Sequence, residues 1–377
     1  MKKLVKILAV LFAAGIFFVS CSKEEKSKGL VWFDTLEDGL EAAKKQDKRI
    51  FLHFTSFDDD GISKRIKDSL LDLPEFAEEN SQEFVFVNLD FSKSLFEKAF
   101  NPQTQNENAD SGANEELAKK LSANARSQRN YGVSAFPTTF VLSKEGYVIK
   151  EIDLFDRNES FKADENDASS LVSEEAVRPL TLVEYKAVLK DLKESFKLFD
   201  ELLEKTKSSE LGEMVKAVEN LYTFTAVQSP DESTDYCYPL KELSQKIVDT
   251  DKENKSGEVG KHFLILAKYE AQDLLSEDKF LEASEVWSNA SKNAVLTAEE
   301  KQAALVQAGF TLATGGSTNY AKMIEYFDAA IATAPDSDSI AQIESLKSLV
   351  EQTASGTVSE SSEPGEQGEF APFENAE

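Results

Sequence analysis

Thiols, imidazoles and a run of carboxylates are the side chains of this 377-residue chain with the greatest chemical capacity at neutral pH, and the first two are scarce. The cysteines are Cys21 and Cys237; the histidines are His53 and His262. Thiol–disulfide exchange needs a thiolate of lowered pKa and a second thiol to resolve the mixed disulfide. Two cysteines so far apart in sequence do not supply the usual close pair. A His-rich metal site or a Ser-His-Asp hydrolase is equally hard to assemble from two imidazoles. The segment Asp58-Asp59-Asp60-Gly61-Ile62-Ser63 presents three adjacent carboxylates. A hard cation such as Ca²⁺ wants several oxygens, but adjacent acids do not match the alternating ligands of an EF-hand loop, so no metal or other cofactor is expected. Asp60 fits better as the cap or first-turn carboxylate of a helix. His53 sits in an apolar run without a nucleophile nearby and reads as a packed residue rather than a base. Cys237, between Tyr236 and Tyr238, reads as an inert thiol. No catalytic residue is assigned.

Lys2, Lys3 and Lys6 precede an uninterrupted apolar or small stretch from Ile7 to Val19, and charge resumes at Lys23, Glu24 and Glu25. This is the pattern of a secretory signal, too short to span about 30 Å of hydrocarbon. The junction Val19-Ser20-Cys21 resembles the lipobox of bacterial lipoproteins, with Phe18 standing upstream where that family usually has Leu. The resemblance implies that residues 1–20 are removed and that Cys21 becomes a lipidated N-terminus carrying palmitate-type acyl chains. Two or three such chains anchor stably where one holds weakly. The expected location is the cell envelope, with the chain membrane-anchored and facing the periplasm or the exterior. With Cys21 acylated, Cys237 has no partner for an intrachain disulfide.

Loss of Lys2, Lys3 and Lys6 from the 42 basic residues leaves 39 against 69 acidic ones, a formal charge of −30. Such a surface repels nucleic acid and anionic headgroups, so no nucleic-acid partner is expected. An apolar content of 41% with 26 Phe is ample for real cores, and the length allows two domains.

Residues 21–29 read as a polar tether. Beyond it, Leu36–Lys45 has helical apolar spacing, Arg49–Phe54 and Phe84–Leu89 read as buried strands, and Ile62–Asn80 as a helix broken near Pro74. Polar insertions are expected near 92–114 and 156–179, a helix over Glu115–Arg129, and a hairpin of Thr138–Leu142 and Tyr147–Ile152 around Ser143–Gly146. A long helix follows over Leu182–Leu203. Seven more are expected near 210–227, 238–249, 258–275, 279–293, 297–314, 319–333 and 337–352, punctuated by Pro230, Gly257, Gly315-Gly316 and Pro335. Residues 353–377 form an acidic, Ser/Gly/Pro-rich tail expected to be disordered.

The order over 30–204 resembles the thioredoxin fold: an α/β domain with a central mixed sheet flanked by helices. Trp32 ahead of the first helix and the run Tyr131-Gly132-Val133-Ser134-Ala135-Phe136-Pro137-Thr138-Thr139-Phe140 carry the likeness. It implies a cis Pro137 in a peptide-binding loop of Phe136, Pro137 and Thr138, although a purely structural turn is an equal reading. It also places a redox motif after the first buried strand. Counting from Phe54-Thr55, Asp60 and Ser63 stand where the two cysteines belong, so Asp60, Gly61, Ile62 and Ser63 form a degenerate motif. Residues 205–352 resemble tetratricopeptide repeats: Ala283, Trp287 and Ala290 recur as Met323, Phe327 and Ala330, with Ala271/Leu274 and Gly309/Leu312 upstream. The period of about 40 exceeds the usual 34, and a plain all-α bundle fits as well. The expected function is a membrane-anchored, redox-inactive, non-enzymatic module that binds a protein or peptide partner. The alternatives are an oxidoreductase-related or other catalyst using the Asp58–Ser63 turn or Cys237, and a structural envelope lipoprotein.

Overall fold

The computed structural model describes residues 30–58, 61–100, 111–157, 177–230 and 234–356. The expected signal, the tether up to residue 29, Cys21, Asp59, Asp60 and the tail beyond 356 lie outside these residues.

The first region is a thioredoxin-like α/β unit. Strand β1 (Trp32–Phe33) leads into helix α1 (Leu36–Gln46), whose N-cap Thr35 accepts from the Asp38 backbone N–H. Strand β2 (Arg49–Thr55) follows, then α2 (Gly61–Ile66), which widens into a π-turn over Lys67–Leu71, and α3 (Pro74–Asn80). The break expected near Pro74 falls at Asp72–Leu73, and Pro74 occupies the first helical turn, where its missing N–H costs nothing. Strand β3 (Phe84–Asp90), α4 (Lys93–Phe100) and α5 (Ser111–Asn130) come next, then β4 (Thr138–Leu142) and β5 (Val148–Glu151). The sheet runs β1-β3-β2-β4-β5, with β1, β3 and β2 parallel and β4 and β5 antiparallel. Strands β2 and β3 are mostly apolar on both faces, as expected of strands buried between two layers. Four elements exceed the sequence reading: β1, the helix α4 inside the span expected as an insertion, and a small antiparallel pair, β6 (Phe155–Arg157) with β7 (Val177–Pro179).

Odd-numbered residues of β2 face one core and even-numbered residues the other. Phe51 joins Phe76, Phe84, Phe86 and Tyr185; Ile50, Leu52 and Phe54 join Val85, Val87, Phe140 and Tyr131. Burying a phenylalanine fully contributes about 1.5–3 kcal/mol. Two polar side chains in the first core are satisfied: Tyr185 donates to Asn80 Oδ1 at 2.9 Å, and Asn80 Nδ2 donates to the Phe76 carbonyl at 2.8 Å.

The second region is helical: α6 (Leu182–Lys205), α7 (Leu211–Ala226), α8 (Lys241–Thr250), α9 (Val259–Leu275), α10 (Phe280–Ala290), α11 (Ala298–Thr314), α12 (Tyr320–Thr333) and α13 (Ile340–Ala354). Capping boxes open α6 at Thr181/Glu184 and α11 at Thr297/Glu300. The core containing Phe51 does not end at residue 204. It continues through Leu192, Phe196 and Phe199 into Met214, Val218, Leu221, Leu240 and Ile247, and reaches Val259. A separate core holds α11–α13 together around Met323, Phe327 and Ala330, with Trp287 half-buried against it. A Cβ at Gly309 would stand 2.9 Å from the Phe327 ring, so α11 and α12 touch there because one of them lacks a side chain.

Candidate functional site

The register of β2 against β4 brings the degenerate motif and the Pro137 loop to the same end of the sheet. Phe54 pairs with Thr138, so the turn leaving β2 and the loop entering β4 are adjacent. The Phe136–Pro137 peptide bond is cis, as the resemblance implies. Thr138 Oγ1 donates to the Ala135 carbonyl at 2.8 Å, tightening the loop, while Phe136, Pro137 and Thr138 remain partly exposed.

Beneath the loop runs a column of aromatic rings. Phe136 stacks on Phe91 with centroids 5.0 Å apart, Phe91 on Phe96 at 6.2 Å, and Phe96 on Phe100 at 6.0 Å. Phe100 ends the column half exposed. The sequence reading did not single out these residues; the four-residue spacing of Phe96 and Phe100 was the available signal.

Of the degenerate motif, Asp60 lies outside the described residues. Gly61 starts α2, Ile62 packs partly against the first core, and Ser63 is fully buried. Asp58 is committed to the fold: its Oδ2 accepts from the Ser94 N–H at 2.9 Å at the start of α4, and the Ser94 side chain, with that N–H, holds its carboxyl below the usual range. The neighbouring Phe57 N–H donates to Ser92 Oγ at 3.0 Å. The turn is thus stitched to the β3–α4 connection.

Neither histidine forms an evident catalytic base. His53, 1% exposed, has Nδ1 at 2.8 Å from Thr139 Oγ1, and burial pushes its pKa down to about 3. His262 belongs to a buried chain that sequence spacing could not reveal. Its Nδ1 is 3.0 Å from Ser244 Oγ, Tyr222 OH is 2.7 Å from the same oxygen, and Nε2 is 2.9 Å from Glu219 Oε1. That last contact is too bent for a hydrogen bond. Burial raises the Glu219 pKa, but His262 and Lys261 outweigh it and hold the carboxyl below its ordinary value. A serine, a histidine and a carboxylate therefore meet after all, on α8, α9 and α7. Ser244 and His262 are both wholly buried, which leaves no path for a substrate to the hydroxyl. The network links three helices, and nothing about it calls for turnover.

Cys237 lies between α7 and α8, 8% exposed, with Sγ–H donating to the Tyr222 carbonyl at 3.6 Å. Burial, aided by Asp235, pushes its thiol up to about 12, so the thiolate that exchange requires is essentially absent at neutral pH. A cleft of about 770 Å³ borders α5, α8 and α9. Its cations Arg126, Arg129 and Lys241 face the anions Asp235, Asp273 and Glu277, so it favours neither sign of ligand. Among the described residues no cluster of His, Cys, Asp and Glu suits a metal ion.

The architecture defines a thioredoxin-like α/β region followed by a helical C-terminal region. Comparison with known proteins agrees: residues 36–154 match the thioredoxin-like domain model, and residues 259–356 match a model described as an uncharacterised protein C-terminal domain. No curated protein matches the chain. A solved structure of a DsbH oxidoreductase is similar over 36% of this chain and 79% of its own, with 22% identity and a TM-score of 0.27, too low to add to the fold seen directly.

Proposed function

We propose that this protein is a lipid-anchored envelope protein whose thioredoxin-like region binds protein or peptide partners without redox turnover. The observation that carries the reading is the state of the sulfur chemistry. Ser63 occupies the second motif position and is buried, and Cys237, the one thiol among the described residues, sits in a core that suppresses its ionisation. The loop of Phe136, Pro137 and Thr138 stays partly exposed above its aromatic column, a surface suited to an extended chain. The acidic mature chain suits a neutral or basic client better than nucleic acid. Anchoring rests on the Cys21 junction, and no described helix is long and apolar enough to cross a membrane.

The test of anchoring is fatty-acid labelling with intact mass and membrane fractionation of the wild type beside Cys21→Ala. Label and membrane association that disappear in the variant are expected. A wild type that is unlabelled and soluble would remove the anchor from the account.

A further inference from the structure

A second site lies on the opposite face of the sheet from the aromatic column. A cavity of about 630 Å³ opens between the sheet and the α2–α3 segment, walled by Trp32, Phe57, Leu71 and Leu73, with His53 and Asn88 among its lining. That volume is in the range of small-molecule sites, which combine apolar walls with a few fixed polar groups. His53 and Asn88 are cross-strand neighbours in register on β2 and β3.

Their hydrogen bonds decide what they offer. Thr139 is 2% exposed, and its hydroxyl has no partner besides His53 Nδ1 among the described residues. The Thr139 hydroxyl is assigned as the donor to Nδ1, which puts the neutral ring's own proton on Nε2. That Nε2–H is buried and has no hydrogen-bond partner. Asn88 Oδ1 is taken by the Thr55 hydroxyl at 3.2 Å, which turns the amide nitrogen into the remaining polar group of that side chain, again with no partner among the described residues. Asn88 is only partly buried, but a buried donor left unsatisfied, as His53 Nε2 is, is rare in native proteins and calls for an explanation.

We propose that this cavity binds a small uncharged molecule with an apolar, ring-sized body and a carbonyl oxygen, the oxygen accepting from His53 Nε2 and the Asn88 amide. Two adjacent N–H donors in an apolar chamber are complementary to an acceptor oxygen. A neutral carbonyl suits them better than a carboxylate, because Lys67, the cation of the lining, is already paired with Asp72. The site is independent of the lipid anchor and of any thiol.

The experiment is calorimetric titration of the mature chain with 2-acetylnaphthalene and with 2-isopropylnaphthalene, the same body without the oxygen. The wild type is expected to bind the acetyl compound at least about tenfold more tightly, the scale of one buried hydrogen bond. That preference should vanish in His53→Phe/Thr139→Val, which removes both partners of the buried pair at once. Leu71→Trp, which fills the chamber while leaving His53 intact, should abolish binding of both compounds and serves equally if the double variant does not fold. Nitrogen-15 NMR of the imidazole should place the ring proton on Nε2. No binding of either compound up to its solubility limit, equal binding of the two by the wild type, or unchanged binding in Leu71→Trp would overturn the proposal.

Discussion

His53 is held neutral by its surroundings, and that has a thermodynamic consequence. Its pKa falls from an ordinary 6.5 to about 3 on folding because burial penalises the imidazolium. Between those values the unfolded chain binds a proton that the folded chain refuses, so stability rises with pH across that window and is lost as pH drops through it. The slope attributable to this one residue approaches about 1.4 kcal/mol per pH unit. Urea unfolding of wild type and His53→Phe/Thr139→Val between pH 7 and pH 4 measures it: the wild type should lose stability faster on acidification. Parallel pH profiles would show that burial does not suppress protonation. His53 was readable from sequence as a packed residue. Its pairing with Thr139 was not, because the two meet only through the antiparallel register of β2 and β4.

At the scale of elements, local patterning carried most of the fold. Strands β2, β3, β4 and β5 and all eight helices from α6 onward follow from apolar periodicity and from the Pro and Gly residues between segments. The elements that escaped had too little local signal. Strand β1 is two residues long and exists because Trp32 and Phe33 pair with Phe86 and Val87. Helix α4 stands beside an Asn/Gln-rich stretch whose composition masks it. The polar chain of Tyr222, Ser244, His262 and Glu219 joins three helices and has no sequence spacing to betray it.

A similar long-range device holds the C-terminal region together. Gln302 on α11, 3% exposed, donates to the Ala330 and Ala334 carbonyls at 3.1 and 3.0 Å, closing the end of α12. Its Oε1 also accepts from Ser337. Gln302→Leu leaves the Ala330 carbonyl without this donor and the Ala334 carbonyl with the Ser337 N–H alone, and should cost about 1–3 kcal/mol in chemical unfolding. An unchanged midpoint would mean that water or a local shift satisfies those carbonyls.

For the whole molecule, the relevant fact is that one apolar core passes from the sheet through α6 into α7, α8 and the start of α9. The sequence reading placed a boundary near residue 204, beyond which no strand pattern follows. Packing does not change there, and the pattern of element types cannot report which helices cover the sheet. A fragment ending at residue 204 removes the Phe224 ring packed on Phe199, which is 0% accessible in the intact chain, and cuts away the part of the core formed by Met214, Val218, Leu221, Leu240 and Ile247. It should aggregate or bind hydrophobic dyes and lack a cooperative unfolding transition. A soluble, cooperatively folding 30–204 fragment would show that α7 and α8 are dispensable to the sheet.

The proposal of a binding module turns on Asp60 and Ser63 standing where a redox pair would sit. The most direct measurement is turnover of insulin disulfides with dithiothreitol as reductant, comparing the mature wild type, Asp60→Cys/Ser63→Cys and Cys237→Ser. The wild type and Cys237→Ser should stay at the uncatalysed rate, while the double cysteine variant gains turnover because a thiol pair is restored where the fold presents it. Robust reduction by the wild type, lost on changing Asp60, Ser63 or Cys237, would contradict the account of a binding module without thiol chemistry.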